Sequence, residues 1–367
     1  MVVEMGRKRA LVAMSGGVDS SVAAALLLER GYDVIGVTMR LWTLEDPLAP
    51  RHHRRCCSVE DTDDARAAAD VLGIPHYVLN LERPFQTFVV DYFVAEYERG
   101  RTPNPCLACN RHIKFGPLLE YARAVGADCI ATGHYARIRQ GRDGYELWQA
   151  VDARKDQSYV LYMLGQAELS RVLFPVGEYT KEEVRAMARR LGLPNADKPD
   201  SADICFIPDG DYRRFVAERA SSAPGDIVDR QGRVLGRHPG IVHFTVGQRR
   251  GLPARGGQPP LYVLEIDATS NVIVAGPEEE LYSDTVECED VSFVAGRPPD
   301  GAVPVEAKVR YRSPPVPALL AVEGGRAVLR FERPQRAVTP GQAVVFYQGQ
   351  RVLGGGIIAT ARRAGSP

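Results

Sequence analysis

The sequence predicts an α/β chain: a parallel sheet with helices on both faces, followed by a small β-rich central domain and a C-terminal β-barrel. Two observations carry this reading. Up to about residue 200, short apolar runs alternate with helical patterns, as the strand–helix units of a parallel sheet require. Beyond Ser221 the texture changes to short β-type runs separated by Gly, Pro and Asp.

Ala10–Met14 reads as the first strand and Ser20–Arg30 as the helix that follows it. Val34–Met39, His76–Leu81 and Cys129–Thr132 read as further strands, with Glu60–Leu72, Phe85–Arg99 and Phe115–Val125 as helices. Thr180 with Glu183 three residues later forms a capping box, opening a helix that Gly192 and Pro194 close. A last helix is expected at Asp211–Arg219. The β-type runs are Asp226–Val228, Ile241–Phe244, Tyr262–Asp267, Val272–Ala275, Val305–Tyr311, Arg326–Phe331 and Ala343–Tyr347. The Pro208-Asp209-Gly210 turn and a second break near Tyr282 divide the chain into domains 1–210, 211–281 and 282–367.

With 367 residues, 45% hydrophobic and 25% charged, the chain has the composition of an ordinary soluble protein of two or three domains. The apolar run Ala10–Met14 is too short for a signal peptide, and Val22–Leu28 is far short of the roughly 20 residues of a membrane span. A cytoplasmic protein with no membrane partner is expected. The 46 basic and 46 acidic residues cancel, so a nucleic-acid partner would have to rely on local patches. The seven cysteines are an odd number in a large chain, which points to catalytic, redox or metal chemistry rather than a disulfide framework.

Ser15-Gly16-Gly17-Val18-Asp19-Ser20 lies between the first strand and the first helix, where unpaired N–H groups and the helix dipole favour an anion. Adjacent glycines let the backbone approach phosphate oxygens, the serines supply hydroxyl donors, and Asp19 can hold Mg²⁺. The loop lacks the Lys of the Walker motif and the spacing of a dinucleotide fingerprint. It resembles the pyrophosphate loop of the N-type ATP pyrophosphatases (PP-loop superfamily). That resemblance implies ATP, cleaved between its α- and β-phosphates to activate a carbonyl oxygen.

Cys106 and Cys109 form a C-x-x-C pair after Thr102-Pro103-Asn104-Pro105, where two prolines predict a stiff loop presenting both sulfurs. Arg111, His112 and Lys114 follow, so Cys109 is expected near a helix N-terminus beside cations, which lower a thiol pKa. With no second C-x-x-C, a four-cysteine zinc site is not indicated. Cys205 reads either as a buried apolar strand residue or as a third sulfur brought in by the fold.

Beyond the phosphate loop, the chain carries Thr102–Phe115, Ala131–Arg137, Lys155–Tyr159, Ser201–Phe206, Phe244–Arg249, Arg310–Arg312 and Thr339–Gln342. In this order they resemble the motifs of the bacterial tRNA-specific 2-thiouridylases along nearly the whole chain. The resemblance implies adenylation of the 2-carbonyl of the tRNA wobble uridine and its replacement by sulfur. It makes Cys109 the nucleophile and Cys205 the persulfide carrier, fed by a sulfur-donor protein. It also implies that Ala13, Met14, Ser15, Gly16, Gly17, Val18, Asp19, Ser20, Met39 and Gly133 bind ATP, and that Asn104, Pro105 and Cys106 meet the target base. His134, Lys155, Asp156, Gln157, Arg310, Tyr311 and Gln342 would contact tRNA. On their own, Met39 reads as core, His134 as an unassigned loop residue, and the Lys155 and Arg310 segments as solvated surface.

Family members differ at the position of Cys106, so Cys106, Cys109 and Cys205 as ligands of a [4Fe–4S] cluster remain an alternative sulfur route. Two other functions compete: an adenylating ligase of the same superfamily, and a non-catalytic tRNA-binding protein. Neither needs the phosphate loop together with Cys109 and Cys205. Arg51–Arg55 is a further basic segment able to touch phosphate.

Overall fold

The computed structural model describes residues 7–42, 59–200, 204–207, 209–254, 257 and 259–362. Arg51–Arg55, Cys56, Cys57 and Ser201 lie outside the described residues. The chain begins with β1 (Arg9–Ala13), α1 (Val18–Glu29), β2 (Asp33–Arg40), α2 (Val59–Leu72) and β3 (His76–Asn80). Helices α3 (Glu82–Phe85) and α4 (Tyr92–Glu98) are joined by a π-helical stretch, Gln86–Asp91. After α5 (Pro105–Cys109) comes a second π-helical stretch, Asn110–Lys114, and then α6 (Pro117–Ala124) and β4 (Cys129–Thr132).

These strands and β7 form a parallel sheet in the order β3-β2-β1-β4-β7, where β5 is Ala136–Gly141, β6 is Gly144–Gln149 and β7 is Val172–Leu173. Side chains of β1 alternate between two cores: Leu11 and Ala13 join one, Ala10 and Val12 the other. That is the pattern of a strand buried on both faces, and it explains why the sequence run is continuously apolar. The strand order reverses between β1 and β4, the point at which open α/β sheets carry a crevice beyond the carboxyl ends of their strands.

Helices α7 (Gln166–Leu169), α8 (Lys181–Arg190) and α9 (Tyr212–Ala217) lead to the β-rich part. The capping box forms as predicted: the Thr180 hydroxyl accepts from Glu183 N at 3.3 Å, and the Glu183 carboxylate accepts from Thr180 N at 2.7 Å. Strands β8 (Gly225–Val228), β9 (Val234–His238), β10 (Tyr262–Asp267) and β11 (Val272–Gly276) make a four-stranded sheet in the order β10-β11-β8-β9. Strands β12 (Tyr282–Phe293), β13 (Val303–Lys308), β14 (Val316–Glu323), β15 (Arg326–Arg336), β16 (Ala343–Gln348) and β17 (Arg351–Arg362) pair antiparallel, and a β12–β17 ladder closes them into a six-stranded barrel. The β5–β6 hairpin adds to this sheet through β17, tying the first part of the chain to the barrel.

Several sequence expectations are corrected. Ile241–His243 is a 3₁₀ turn, not part of a strand, and the strand expected to reach Tyr311 ends at Lys308. Residues Pro105–Cys109 are helical rather than an open loop. Pro105 occupies the first helical position, where its missing N–H costs nothing and its fixed φ suits a helix. Among the described residues no helix is long and apolar enough to cross a membrane.

Candidate active site

The phosphate loop turns from β1 into α1 as predicted. Gly16 sits at φ 74°, and a Cβ there would lie 2.3 Å from the Asp61 carbonyl oxygen. Gly17 is the N-cap of α1 and brings no side chain to the helix end, so the first N–H groups carry no side-chain cap and suit an anion. Ser20 Oγ donates to Gly17 O at 3.0 Å and accepts from Ser15 N at 3.2 Å, which holds the loop tightly curled. Asn195 braces it from outside, donating to Gly16 O at 3.0 Å and to Ser21 Oγ at 2.9 Å.

Ala13, Met14 and Val18 are buried beneath this loop, and Met39 is buried at the end of β2. Gly133 follows β4 and packs against the loop itself; a Cβ on it would lie 2.7 Å from Ser20 N. The next residue, His134, is buried. Its Nδ1 shares a hydrogen bond with Thr132 Oγ1 at 2.7 Å, and its Nε2 lies 3.5 Å from Lys114 Nζ. Burial, then the Lys114 charge, hold the His134 pKa well below the ordinary range, so the ring is neutral. Lys114 ends the helical run that contains Cys109, so Gly133 and His134 connect the phosphate crevice to the cysteine segment.

Asn104 caps α5, its Oδ1 accepting from Cys106 N at 3.0 Å. Cys106 is therefore near the N-terminus of α5 and exposed, whereas Cys109 lies at the other end and is buried. This reverses the expectation that Cys109 stands at a helix N-terminus. Cys205 is half-buried in a turn beside Phe206, which packs against Phe85, Phe93 and Phe215. It is not in a strand. Cys109 belongs to the same hydrophobic core against which Cys205 packs. Burial raises the Cys129 thiol to about 11 and pushes Cys288 still higher, so neither is a thiolate at neutral pH.

The barrel reaches the cysteine segment through its own loop. Thr102 N donates to Pro340 O at 2.9 Å, and Gln342 Nε2 donates to Thr102 O at 2.9 Å. Arg310 donates to Ala337 O, and Tyr311 meets the buried Tyr159 edge-on at 5.8 Å. Asp156 is buried and accepts from Ala150 N, Ser158 N and Ser158 Oγ. Burial raises its pKa against those hydrogen bonds. Gln157 Oε1 accepts from Tyr135 N at 3.0 Å, and Lys155 pairs with Asp200 at 2.6 Å. Thus Asp156 and Gln157 shape the loop from within, while Lys155 stays half-exposed at its rim.

Family models for a tRNA methyl transferase HUP domain, a tRNA methyl transferase PRC-barrel domain and an aminomethyltransferase β-barrel domain match residues 8–209, 213–277 and 283–358. The chain is 54% identical to the tRNA-specific 2-thiouridylase MnmA of Chloroflexus aurantiacus over 353 residues, which is 95% of this chain and 98% of the relative. The chain belongs to the tRNA-specific 2-thiouridylase family. The 2-thiouridylase of Roseiflexus castenholzii is 51% identical over 95% of this chain and 98% of its own. That of Carboxydothermus hydrogenoformans is 50% identical over 96% and 98%.

For this 2-thiouridylase-family chain, sequence reasoning gave Lys181 no role beyond its place in a capping box. Its buried Nζ lies 2.7 Å from both carboxylate oxygens of Asp19 and 2.9 Å from Asp200. Tyr135 OH donates to the same Asp19 carboxylate at 2.8 Å. Desolvation pushes Asp200 upward, but hydrogen bonds and charge from Lys155 and Lys181 outweigh it and bring its pKa to about 2. One signal was available: a lysine at the first position of a helix opposes the macrodipole, so a nearby anion is needed to hold it there.

Proposed function

We propose that the chain binds ATP in the Ser15–Ser20 crevice, adenylates the 2-carbonyl oxygen of the wobble uridine of tRNA, and replaces that oxygen with sulfur. The observation that carries this reading is the contact of Gly133 with the loop at Ser20, continued by His134 and Lys114 to the segment of Cys109. Activation and sulfur delivery thereby share one edge of the sheet. Domains 1–210, 211–281 and 282–367 would divide the work: chemistry in the first, tRNA contacts through Arg310, Tyr311 and Gln342 in the last.

In this mechanism the N–H groups at the start of α1, with Ser15 and Ser20, bind departing pyrophosphate. Asn104, Pro105 and Cys106 hold the extruded uridine against the end of α5. A sulfur-donor protein charges Cys205 as a persulfide. Its terminal sulfur attacks C2, and AMP leaves with the oxygen. The Cys109 thiolate then attacks the Cys205 sulfur, the S–S bond breaks toward the base, and 2-thiouridine is released with a Cys109–Cys205 disulfide. A thiol reductant restores the pair.

Among the described residues no three His, Cys, Asp or Glu side chains gather to hold a metal. A [4Fe–4S] cluster does not fit this arrangement, in which Cys106, Cys109 and Cys205 do not gather into a ligand set. Mg²⁺ fits, because it takes most of its ligands from phosphate and water and needs few protein carboxylates. Asp19 would hold it by giving up part of its contact with Lys181 Nζ, which lies 2.7 Å from both its oxygens, and the ion would supply neutralisation of charge on the phosphates.

The test is ATP-dependent transfer of labelled sulfur from a persulfide donor to tRNA. Cys109→Ser and Cys205→Ser should each abolish transfer while leaving ATP binding intact. Transfer that survives both changes overturns the assigned chemistry.

A further inference from the structure

A cavity of about 210 Å³ lies where the helices meet the barrel, on the side of the cysteine helix not used above. Phe88, Leu107, Arg111 and His112 line it from the helices, and Asp290 and Ile357 from the barrel. Three departures from regular backbone converge on it. Gln86–Asp91 and Asn110–Lys114 are both π-helical, and β12 loses register with β17 between Glu289 and Ser292, where Asp290 sits at φ 49°. π-turns and bulges cost regular hydrogen bonding, re-aim side chains and recur at functional sites. A residue with a Cβ holds a positive φ only against a steric penalty.

The side chains they re-aim form a coherent set. Phe88 stacks on His112 with ring centroids 5.3 Å apart and planes 20° from parallel, yet Phe88 remains 48% exposed. Partial desolvation, then the Arg111 charge, lower the His112 pKa, so the pair is a neutral aromatic platform. Arg111 forms an ion pair with Asp290 across the seam. A flat platform open on one side, with a donor and an acceptor at its rim, matches a nucleobase better than an aliphatic ligand.

We propose that this cavity is a second base site, in which the Phe88–His112 stack receives the nucleotide next to the target uridine while Arg111 and Asp290 address its edge. The inference rests on the tRNA reading above. It follows from position: Arg111 is five residues beyond Cys106 on one continuous helical run, about 7.5 Å along the axis. A strand whose target base lies at Asn104–Cys106 has its neighbouring base within reach of the cavity. Stacking there would hold the anticodon strand splayed while the target uridine is turned toward ATP.

The probe is an anticodon stem-loop RNA carrying 2-aminopurine either immediately 5′ or immediately 3′ of the wobble uridine, with binding measured separately by filter retention. Wild-type enzyme should quench one of the two RNAs. Phe88→Ala should abolish that quench and weaken binding about tenfold or more, and Phe88→Tyr should retain both. Phe88 is half-exposed, so its truncation leaves the core packed. Quench and affinity within twofold of wild type in Phe88→Ala overturn the inference, as does weaker binding with the quench intact. If wild-type enzyme binds neither RNA, it is the tRNA reading that fails.

Discussion

Lys181→Met removes the buried charge beside the phosphate loop while keeping most of the side-chain volume. Losing one partner of a fully buried ion pair costs about 3–5 kcal/mol. Here the Asp19 and Asp200 side chains keep 30% and 46% exposure, so solvent screens what remains and the expected loss of stability is about 1–2 kcal/mol. The larger effect falls on ATP, whose phosphates would meet two carboxylates no longer shielded by Lys181. One additional charge at a separation of roughly 6–8 Å, with an effective dielectric of about 20, is worth about 2–3 kcal/mol, and halving this for solvent screening predicts about a tenfold rise in the KM for ATP. Urea denaturation and the ATP dependence of pyrophosphate release measure the two terms separately. Adding Asp200→Asn to Lys181→Met should recover part of the stability and part of the affinity, because it removes one of the two unshielded carboxylates. A KM within twofold of wild type in Lys181→Met refutes the role assigned to this lysine.

Three further outcomes are expected. Gly16→Ala forces a Cβ onto the Asp61 carbonyl at φ 74° and should abolish measurable ATP binding in calorimetry, with a stability loss of about 1–3 kcal/mol. Asn104→Ala removes the cap of α5, at a cost of about 1 kcal/mol, and should slow sulfur transfer in single turnover while leaving ATP affinity unchanged. The Asp200 pKa of about 2 lies below its usual 3.8, so its stabilisation is complete above about pH 4 and is lost as pH falls toward 2. At its exposure this is about 1 kcal/mol, seen as a smaller acid-induced loss of stability between pH 4 and 2 in Asp200→Asn.

The parallel sheet was legible because its central strands are short apolar runs separated by helix-length segments, so local pattern and buried environment agree at Arg9–Ala13, Asp33–Arg40 and Cys129–Thr132. The turn at Ser15–Ser20 was legible because its signature lies in six consecutive residues, with Gly16 at the positive φ that the local backbone demands. Strand β17 was not among the β-type runs, since the consecutive Gly354, Gly355 and Gly356 offer no side-chain pattern to read. Only the closed barrel shows why they are glycines: a Cβ on Gly354 would lie 2.2 Å from Ser292 O and one on Gly355 2.6 Å from Val344 O. The helix at Pro105–Cys109 was obscured because proline was read as a breaker, while its compatibility with the first helical turn depends on the Asn104 cap.

The amino-acid sequence by itself determined the fold class and the glycine turn between the first strand and helix, both properties of residue type and short-range spacing. The tertiary structure alone decided that Cys109 is buried while Cys106 is exposed, and that Lys181 neutralises Asp19 from 162 residues away. It alone brought Phe88, His112 and Asp290 to one cavity. Burial, charge pairing and stacking act through space, and only the folded chain sets which distant residues share it.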